Sequence, residues 1–445
     1  MAHTVLVTGA TGMIGQALVP LLARRNDVRA IFALAHKSEY TGSSCKVTPV
    51  RGDVTAGPDL GMTTESSREI LDRINVIVHA AANTRFSASL DEARTVNLEG
   101  TNNLLAFASH CPRLKAFAAL STVHVAGKRT GTIREEDLDH TSGFVNSYEQ
   151  SKYEAELLLR ESMSALPISV LRLSTVLGST TGEVRRMAAI HHALRLYYNS
   201  LAPMIPGKPD SLVDLIAVDY AAAAVEHFAV EDFLAGRTFH ICGGENALTL
   251  ARLLELTREA FLRCRPSWRK RAIEMPAIVD LPTFELFARS VEEVGDNILR
   301  SSVAIIKHFV PQLVYSKIFS DVECARSLQA KGLLKPSLPE FYPQVVRWLV
   351  ESGWGEHSTL AGGGGGVSDT RDKLLNYING ELLTDPARRA APDTPLFEEG
   401  WIDSLKILKL IAFVELMIGR NIPDDEIVMK NFRTVTMIVE HFGYK

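Results

Sequence analysis

The chain has 445 residues, 46% hydrophobic and 22% charged, with a formal net charge of −4. That length suits about two to four domains with sizeable cores, and so small a charge offers no electrostatic footprint for nucleic acid. Five scattered cysteines without a CxxC pair speak against a disulfide framework or a metal site. The best candidate for a membrane span, Val303 to Tyr315, is broken by Lys307, His308, Pro311 and Gln312. With no leader-like segment ahead of Val5, the expectation is a soluble, cytoplasmic protein.

In chain order, apolar runs and helical periodicity predict a strand over Thr4–Thr8, a helix over Gly12–Arg25 and strands over Val28–Ala35 and Val47–Arg51. A helix over Ser66–Ile74 then feeds a strand over Val76–Ala80. A long helix over Ala88–Ser109 precedes a strand over Ala116–Ser121, and a helix from Tyr148 to about Ser164 precedes a strand over Ile168–Leu173. This alternation implies an α/β fold with a doubly wound parallel sheet. The unbroken runs Val76-Ile77-Val78 and Val170-Leu171 suit strands covered on both faces.

Beyond Gly182 the pattern turns mostly helical, with one later strand at Thr238–Cys242, and reads as a helical substrate-side subdomain over about 183–357 of a first domain, 1–357. Five glycines, Gly362 to Gly366, mark 358–367 as a flexible linker, either natural or a fusion joint. The last segment, 368–445, carries helical stretches at Asp369–Leu383, Ser404–Met417, Asp424–Met429 and Val435–Phe442, the size of a four-helix bundle.

The first strand runs into Thr8-Gly9-Ala10-Thr11-Gly12-Met13-Ile14-Gly15. In that spacing the first glycine permits a tight turn, the second admits a pyrophosphate to the backbone, and the third lets helix and strand pack closely. Amides opening the following helix favour the diphosphate. The second strand ends in Ala35-His36-Lys37 without an acidic residue to hold ribose hydroxyls. Lys37 is therefore the candidate for the 2′-phosphate of NADPH, with His36 as accessory; the plain alternative is a solvated loop lysine.

Tyr148 and Lys152 stand four apart at a helix start, on one face. An ammonium beside a phenol favours phenolate and would bring a pKa near 10 toward neutrality. About one strand-and-loop earlier, Ser121 and Thr122 end a strand in hydroxyls able to bond a carbonyl oxygen as it gains charge. Each motif alone is weak. Together, and in this order, they are specific.

Over residues 4 to about 245 the chain resembles the extended short-chain dehydrogenase/reductase family. The residues that carry the resemblance are TGATGMIG, Gly52-Asp53-Val54, Ala80-Ala81-Ala82-Asn83, Asn97, Thr122 and Tyr148/Lys152. The resemblance implies that Asp53 contacts the adenine and that Thr122, five before Gly127, is the catalytic hydroxyl beside Tyr148 and Lys152. The cofactor site so expected comprises Thr8, Gly9, Thr11, Gly12, Met13, Ile14, Gly15, His36, Lys37, Asp53, Val54, Ala81, Ala82, Asn97, Tyr148 and Lys152. Within the family, Leu120-Ser121-Thr122, Val213 to Tyr220 and Phe239-His240-Ile241 look like the thioester reductase and fatty acyl-CoA reductase branch, with Ala217 where proline is more frequent. The stretch 270–350 matches that branch only loosely.

Asp403-Ser404-Leu405 follows Leu396-Phe397-Glu398-Glu399-Gly400. A helix starting there would expose Ser404 and bury Leu405, Ile407, Leu408, Ile411 and Val414. Asp-Ser is also an ordinary helix cap. With its surroundings, 368–445 resembles acyl and peptidyl carrier proteins, which implies 4′-phosphopantetheine on Ser404, placed there by a phosphopantetheinyl transferase. The two resemblances together lead to NADPH-dependent reduction of a tethered acyl or peptidyl thioester, delivered by an upstream synthase or adenylating enzyme, to an aldehyde or onward to the alcohol. Two other readings stand beside it: ketone–alcohol interconversion, and a nucleotide-sensing scaffold with an unused site. The complete Thr122/Tyr148/Lys152 set argues against the last.

Overall fold

The computed structural model describes residues 2–36, 40–42, 44–266, 268, 275–294, 300, 303, 304, 306–308, 310–354, 367–383, 388–397 and, from 401 to 442, all but 403–405, 408, 409, 412, 415, 416, 418–421, 423–425 and 427. Seven strands, β1 (His3–Thr8), β2 (Val28–Ala35), β3 (Val47–Arg51), β4 (Val76–His79), β5 (Ala116–Thr122), β6 (Ile168–Leu173) and β7 (Thr238–Ile241), form one parallel sheet. Their spatial order is β7-β6-β5-β4-β1-β2-β3. The chain therefore builds outward from β1 in one direction, returns, and builds outward in the other. Such a reversal opens a crevice beyond the carboxyl ends of β1 and β4, the usual ligand position in open α/β sheets.

Alternate residues of the strands feed two cores. Val5, Val7, Ala33, Val76, Val78, Ala118 and Leu171 lie in one; Leu6, Phe32, Leu34, Ile77, Phe117, Ala119 and Val170 lie in the other. Each fully buried Val, Leu or Phe here is worth about 1.5–3 kcal/mol relative to exposure, so both faces need cover. Helices α1 (Met13–Arg24) and, further along, α6 (Val218–Glu226) supply Leu18, Leu22, Ala221 and Val225 to the first core. Helix α2 (Thr64–Arg73), the long helix α3 (90–109) and α4 (Ser147–Ser162) supply Ile70, Leu104 and Leu159 to the second.

Where helix starts differ from expectation, capping explains it. Helix α2 begins before Ser66 because Thr63 accepts the Ser66 amide at 3.2 Å. Helix α3 begins after Ala88 because Ser89 and Glu92 form a reciprocal cap, with bonds of 3.2 and 3.0 Å. It runs through Leu90–Arg94, a wider π-type segment Thr95–Glu99, and Gly100–Ser109.

The region after Gly182 is less purely helical than its periodicity suggests. The expected late strand, β7, joins the main sheet beside β6. Fully buried Arg172 of β6 is satisfied there by Glu156 of α4 (2.5 and 2.9 Å) and by His240 of β7 (3.0 Å). Short ribbons pair Thr175–Val176 with Leu215–Ile216, Met204–Pro206 with Ala277–Val279, Leu212–Val213 with Leu248–Thr249 and Gly131–Ile133 with Lys317–Phe319. Helices α5 (Ala189–Tyr198), α7 (Leu250–Cys264) and α8 (Leu338–Glu351) lie on this side, with further helices at Leu281–Val294 and Val322–Ala330.

Residues 367–442 have their own apolar cluster, with Leu374, Ile378, Leu396, Ile407, Leu410, Phe432 and Ile438 buried. Its helices include α9 (Val367–Tyr377), α10 (Met429–Phe432) and α11 (Val435–Phe442). Ile407, Ile411 and Val414 are buried, as the sequence leads one to expect. Leu405, Leu408, Asp424, the linker residues 358–366 and Ser404 itself lie outside the described residues. No helix among the described residues is long and apolar enough to cross a membrane.

Candidate active site

The loop after β1 is shaped by what its glycines exclude. Gly9 has φ +67°, and a Cβ on it would stand 2.6 Å from the backbone of Ala80 and Ala81. A Cβ on Gly15 would meet the Gly9 carbonyl oxygen at 2.3 Å. Neither position tolerates a side chain, so the turn can pass tightly under the end of β4. Gly12 caps α1 without any side-chain bond to its opening amides, and its own amide donates to Gly9 at 2.9 Å. Gly12, Met13, Ile14 and Gly15 face a large chamber. Uncapped amides and a closed turn fit a dinucleotide's diphosphate.

The other expected cofactor residues divide into liners and braces. Ala82 lines the chamber. Thr8 instead bonds His79 Nδ1 at 2.8 Å and accepts the Ala81 amide at 3.2 Å, tying β1 to the loop after β4. Asn97, in the π-type segment of α3, accepts the Asn83 amide at 2.8 Å. It donates to the Asn83 carbonyl at 3.1 Å and to Ser151 at 2.9 Å. Its amide is fully engaged, bracing that loop against α4. The Thr11 carbonyl accepts Arg186 Nη1 at 3.2 Å.

At the far end of the crevice, His36 Nε2 lies 3.2 Å from Asp53 Oδ2. The other Asp53 oxygen accepts from the amide and hydroxyl of Thr55, both at 2.9 Å. His36 is thus paired with a carboxylate, which competes with the accessory phosphate role expected for it. Val54 is buried, its carbonyl held by Asn103 at 2.9 Å. Lys37 lies outside the described residues.

Thr122 closes β5, and its hydroxyl accepts the His124 amide at 3.2 Å and is hydrogen-bonded to the Tyr148 phenol. Asn146 caps α4 by accepting the Glu149 amide at 3.0 Å, which fixes the turn carrying Tyr148. Phe86 packs edge-on against Tyr148, ring centres 5.4 Å apart. One turn on, Lys152 donates to the Leu120 carbonyl at 2.8 Å.

The protonation picture differs from the expectation. Burial lifts the Tyr148 phenol to about 12, with the Thr122 bond pulling the other way, while burial lowers Lys152 to about 8 against the attraction of Glu156. One N–H of the Lys152 ammonium goes to Leu120, and desolvation is the largest influence on the phenol. Tyr148 is an acid carrying its proton at neutral pH.

The chamber measures about 1110 Å³, beyond the roughly 300–1,000 Å³ of a site for one drug-sized ligand. On the sheet side it is lined by the glycine loop, Thr122, Tyr148 and Lys152; opposite stand Leu194 and Tyr197 of α5, Leu253 and Leu254 of α7, Leu313 and Tyr342. Arg85, Phe86 and His124 also line it. Burial and the charge of Lys317 lower His124 to about 3, leaving it neutral. Sequence reasoning missed Arg186, Gln312 and Lys317. The last two sit in the stretch whose resemblance is loosest; Arg186 has no motif around it.

Residues 36–225 match the family described as "Male sterility protein". The hybrid PKS-NRPS synthetase xenE of Xenoacremonium sinensis is 28% identical over 254 residues, 54% of this chain and 6% of that protein. Fatty acyl-CoA reductase 2, chloroplastic, of Arabidopsis thaliana is 30% identical over 160 residues, 29% of this chain and 26% of that protein. The chain thus spans about half the length, or less, of the curated relatives it matches. Among solved structures, the terminal R domain from the myxalamid PKS-NRPS pathway superposes with a TM-score of 0.67 at 24% identity, covering 80% of this chain and 92% of that one. A thiolation-reductase di-domain from an archaeal non-ribosomal peptide synthetase gives 0.59 at 17%, covering 79% and 76%. At these identities the structural likeness is one of fold.

Proposed function

We propose that this chain is an NADPH-dependent reductase that releases a carrier-tethered acyl thioester as an aldehyde. The observation that carries the reading is that Thr122, Tyr148 and Lys152 face the same chamber as the glycine loop. The names of the relatives, acyl-CoA reductases and PKS-NRPS synthetases, support the same substrate class. In this reading residues 1–357 form the reductase, 358–367 the linker and 368–445 a carrier whose Ser404 holds 4′-phosphopantetheine. Lys37 receives the 2′-phosphate, and Asp53 the adenine end.

When bound, the reduced nicotinamide supplies a hydride for the carbonyl carbon. The hydroxyls of Thr122 and Tyr148 bond the carbonyl oxygen as it becomes an oxyanion, which a buried site stabilises far more than water does. Tyr148, protonated at neutral pH, can lend its proton to that oxygen. Lys152 fixes the strand end through Leu120 and brings positive charge to the same buried floor. Collapse of the thiohemiacetal frees aldehyde and thiol. The apolar wall excludes water that would otherwise hydrolyse the thioester. An upstream synthase or adenylating enzyme would load the acyl or peptidyl group, and the linker would raise the carrier's effective concentration toward the millimolar range.

The test is NADPH oxidation followed at 340 nm with an acyl-pantetheine thioester and with the matching methyl ketone. Turnover of the thioester is expected; turnover confined to the ketone would replace this reading with carbonyl–alcohol interconversion, and turnover of neither would leave a nucleotide-binding scaffold. Incubation with coenzyme A and a phosphopantetheinyl transferase should add one arm to the wild type and none to Ser404→Ala.

A further inference from the structure

We propose that Lys317 is a second catalytic lysine, the acid that protonates sulfur as the carbon–sulfur bond of the substrate breaks. The inference rests on the thioester-reductase reading above. Lys317 lies on the short strand Lys317–Phe319, which pairs with Gly131–Ile133. It is buried, lines the chamber, and donates to the Gly127 carbonyl at 2.6 Å. Gly127 ends the single turn that follows Thr122, whereas Lys152 is bonded to Leu120, two residues before Thr122. Two buried lysines therefore bracket the catalytic hydroxyl, one on each side along the chain.

The surroundings of Lys317 set its charge. From α4, Glu149 stands next to Tyr148 in sequence; its buried carboxylate accepts the Val145 amide at 2.9 Å and the Gln312 side chain. Burial disfavours the charged form of both Lys317 and Glu149, and their mutual attraction offsets only part of that. Arg129 opposes the ammonium, and His124, across the turn, is held neutral. The pair thus gives the chamber an ammonium that sheds its proton more readily than an exposed lysine and has a counter-ion ready. Only one of its three N–H bonds is spent on Gly127.

Proton balance calls for one proton at sulfur. After hydride transfer the former carbonyl carbon bears an oxyanion and a sulfur. When the oxygen lone pair re-forms the carbonyl, the carbon–sulfur electron pair leaves on sulfur. The aldehyde keeps no proton on oxygen, so any proton lent by Tyr148 returns to it. The thiolate, whose conjugate thiol has a pKa of about 8.5 or above, would otherwise be expelled as an anion among apolar side chains. A proton from Lys317 Nζ makes a neutral thiol and a neutral amine, and a proton taken up from solvent recharges the amine on release. The sum is acyl thioester, reduced nicotinamide and one proton to aldehyde, thiol and oxidised nicotinamide.

The experiment compares the full chain with Lys317→Met, reading kcat for an alkyl thioester and for a thiophenyl thioester of the same acyl group. An aryl thiolate leaves without assistance. Alkyl thioester turnover should fall by about 10²-fold or more and thiophenyl turnover far less, while dinucleotide affinity, read by fluorescence titration, stays unchanged. Tyr148→Phe should lose both substrates alike. Equal losses for the two thioesters in Lys317→Met, or no loss, would overturn the assignment to Lys317 alone. Absence of wild-type turnover with both would overturn the reductase reading and the assignment with it. Should Lys317→Met not fold, Glu149→Gln decides: it removes the charge that keeps Lys317 protonated. The upper pH limit of alkyl turnover must then move to lower pH by more than that of thiophenyl turnover, which Glu149 reaches only through Tyr148; equal movement of the two limits, or none, overturns the proposal.

Discussion

On the sheet side of the chamber, Gly9, Gly15, Thr122, Tyr148 and Lys152 are fixed by backbone geometry: a positive φ, a carbonyl 2.3 Å from any added Cβ, a strand end, a capped helix turn. On the helical side, Leu194, Leu253 and Leu254 are held by apolar packing. Few residue types satisfy the first set of demands; many satisfy the second, because a core accepts any apolar side chain of suitable volume. In the proposed reading, chemistry falls to the sheet wall together with Lys317 from the ribbon, and selectivity to the helical wall. The two walls should fail differently when altered.

Tyr148→Phe should make the largest difference. Removing the phenolic proton should lower turnover by about 10²–10⁴-fold, with dinucleotide affinity unchanged in a fluorescence titration. Turnover close to wild type would remove Tyr148 from the chemistry and leave the sheet wall a binding surface only.

Gly15→Ala comes next. Its Cβ would press on the Gly9 carbonyl, a backbone atom that cannot swing aside. Dinucleotide affinity should drop by more than about tenfold, the cost of displacing the turn from its close approach. Unaltered affinity would mean that the turn does not cradle the ligand.

Those two positions were legible in the sequence because spacing encodes them. So were the strand limits of β2 and β3, where apolar runs end abruptly, and the parallel alternation as a whole. The placement of β7 was not: a four-residue strand says nothing of its neighbour, and its partner β6 carries Arg172, whose burial depends on Glu156 and His240 from distant segments. The same limit hid Lys317 and Gln312, which reach the chamber through a ribbon and a loop joined to the sheet only in three dimensions. His36 and Asn97 illustrate another gap. The residue type suits a ligand, yet the side chain is bonded to Asp53 in one case and to Asn83 and Ser151 in the other.

On the helical wall, Leu253→Ala should leave dinucleotide affinity intact and shift preference toward bulkier acyl groups. The size is about tenfold in relative kcat/KM, the scale of one or two methylenes in an apolar pocket. Loss of turnover for every acyl group alike would erase the distinction between the walls. The smallest effect belongs to Arg186, which reaches from the helical side to the Thr11 carbonyl. Arg186→Ala should weaken dinucleotide binding by about two- to tenfold, the worth of one hydrogen bond; isothermal titration would register it, and unchanged binding would detach Arg186 from the cradle.

The most direct test of the central claim counts products in a single turnover. The full chain, saturated with NADPH and given a limiting acyl-pantetheine thioester, is quenched with a thiol reagent and an aldehyde-trapping hydrazine. The account predicts one free thiol and one trapped aldehyde, or the alcohol at two NADPH, for each thioester consumed, and none of either in Tyr148→Phe. Thiol release without matching NADPH oxidation would identify hydrolysis instead and contradict it.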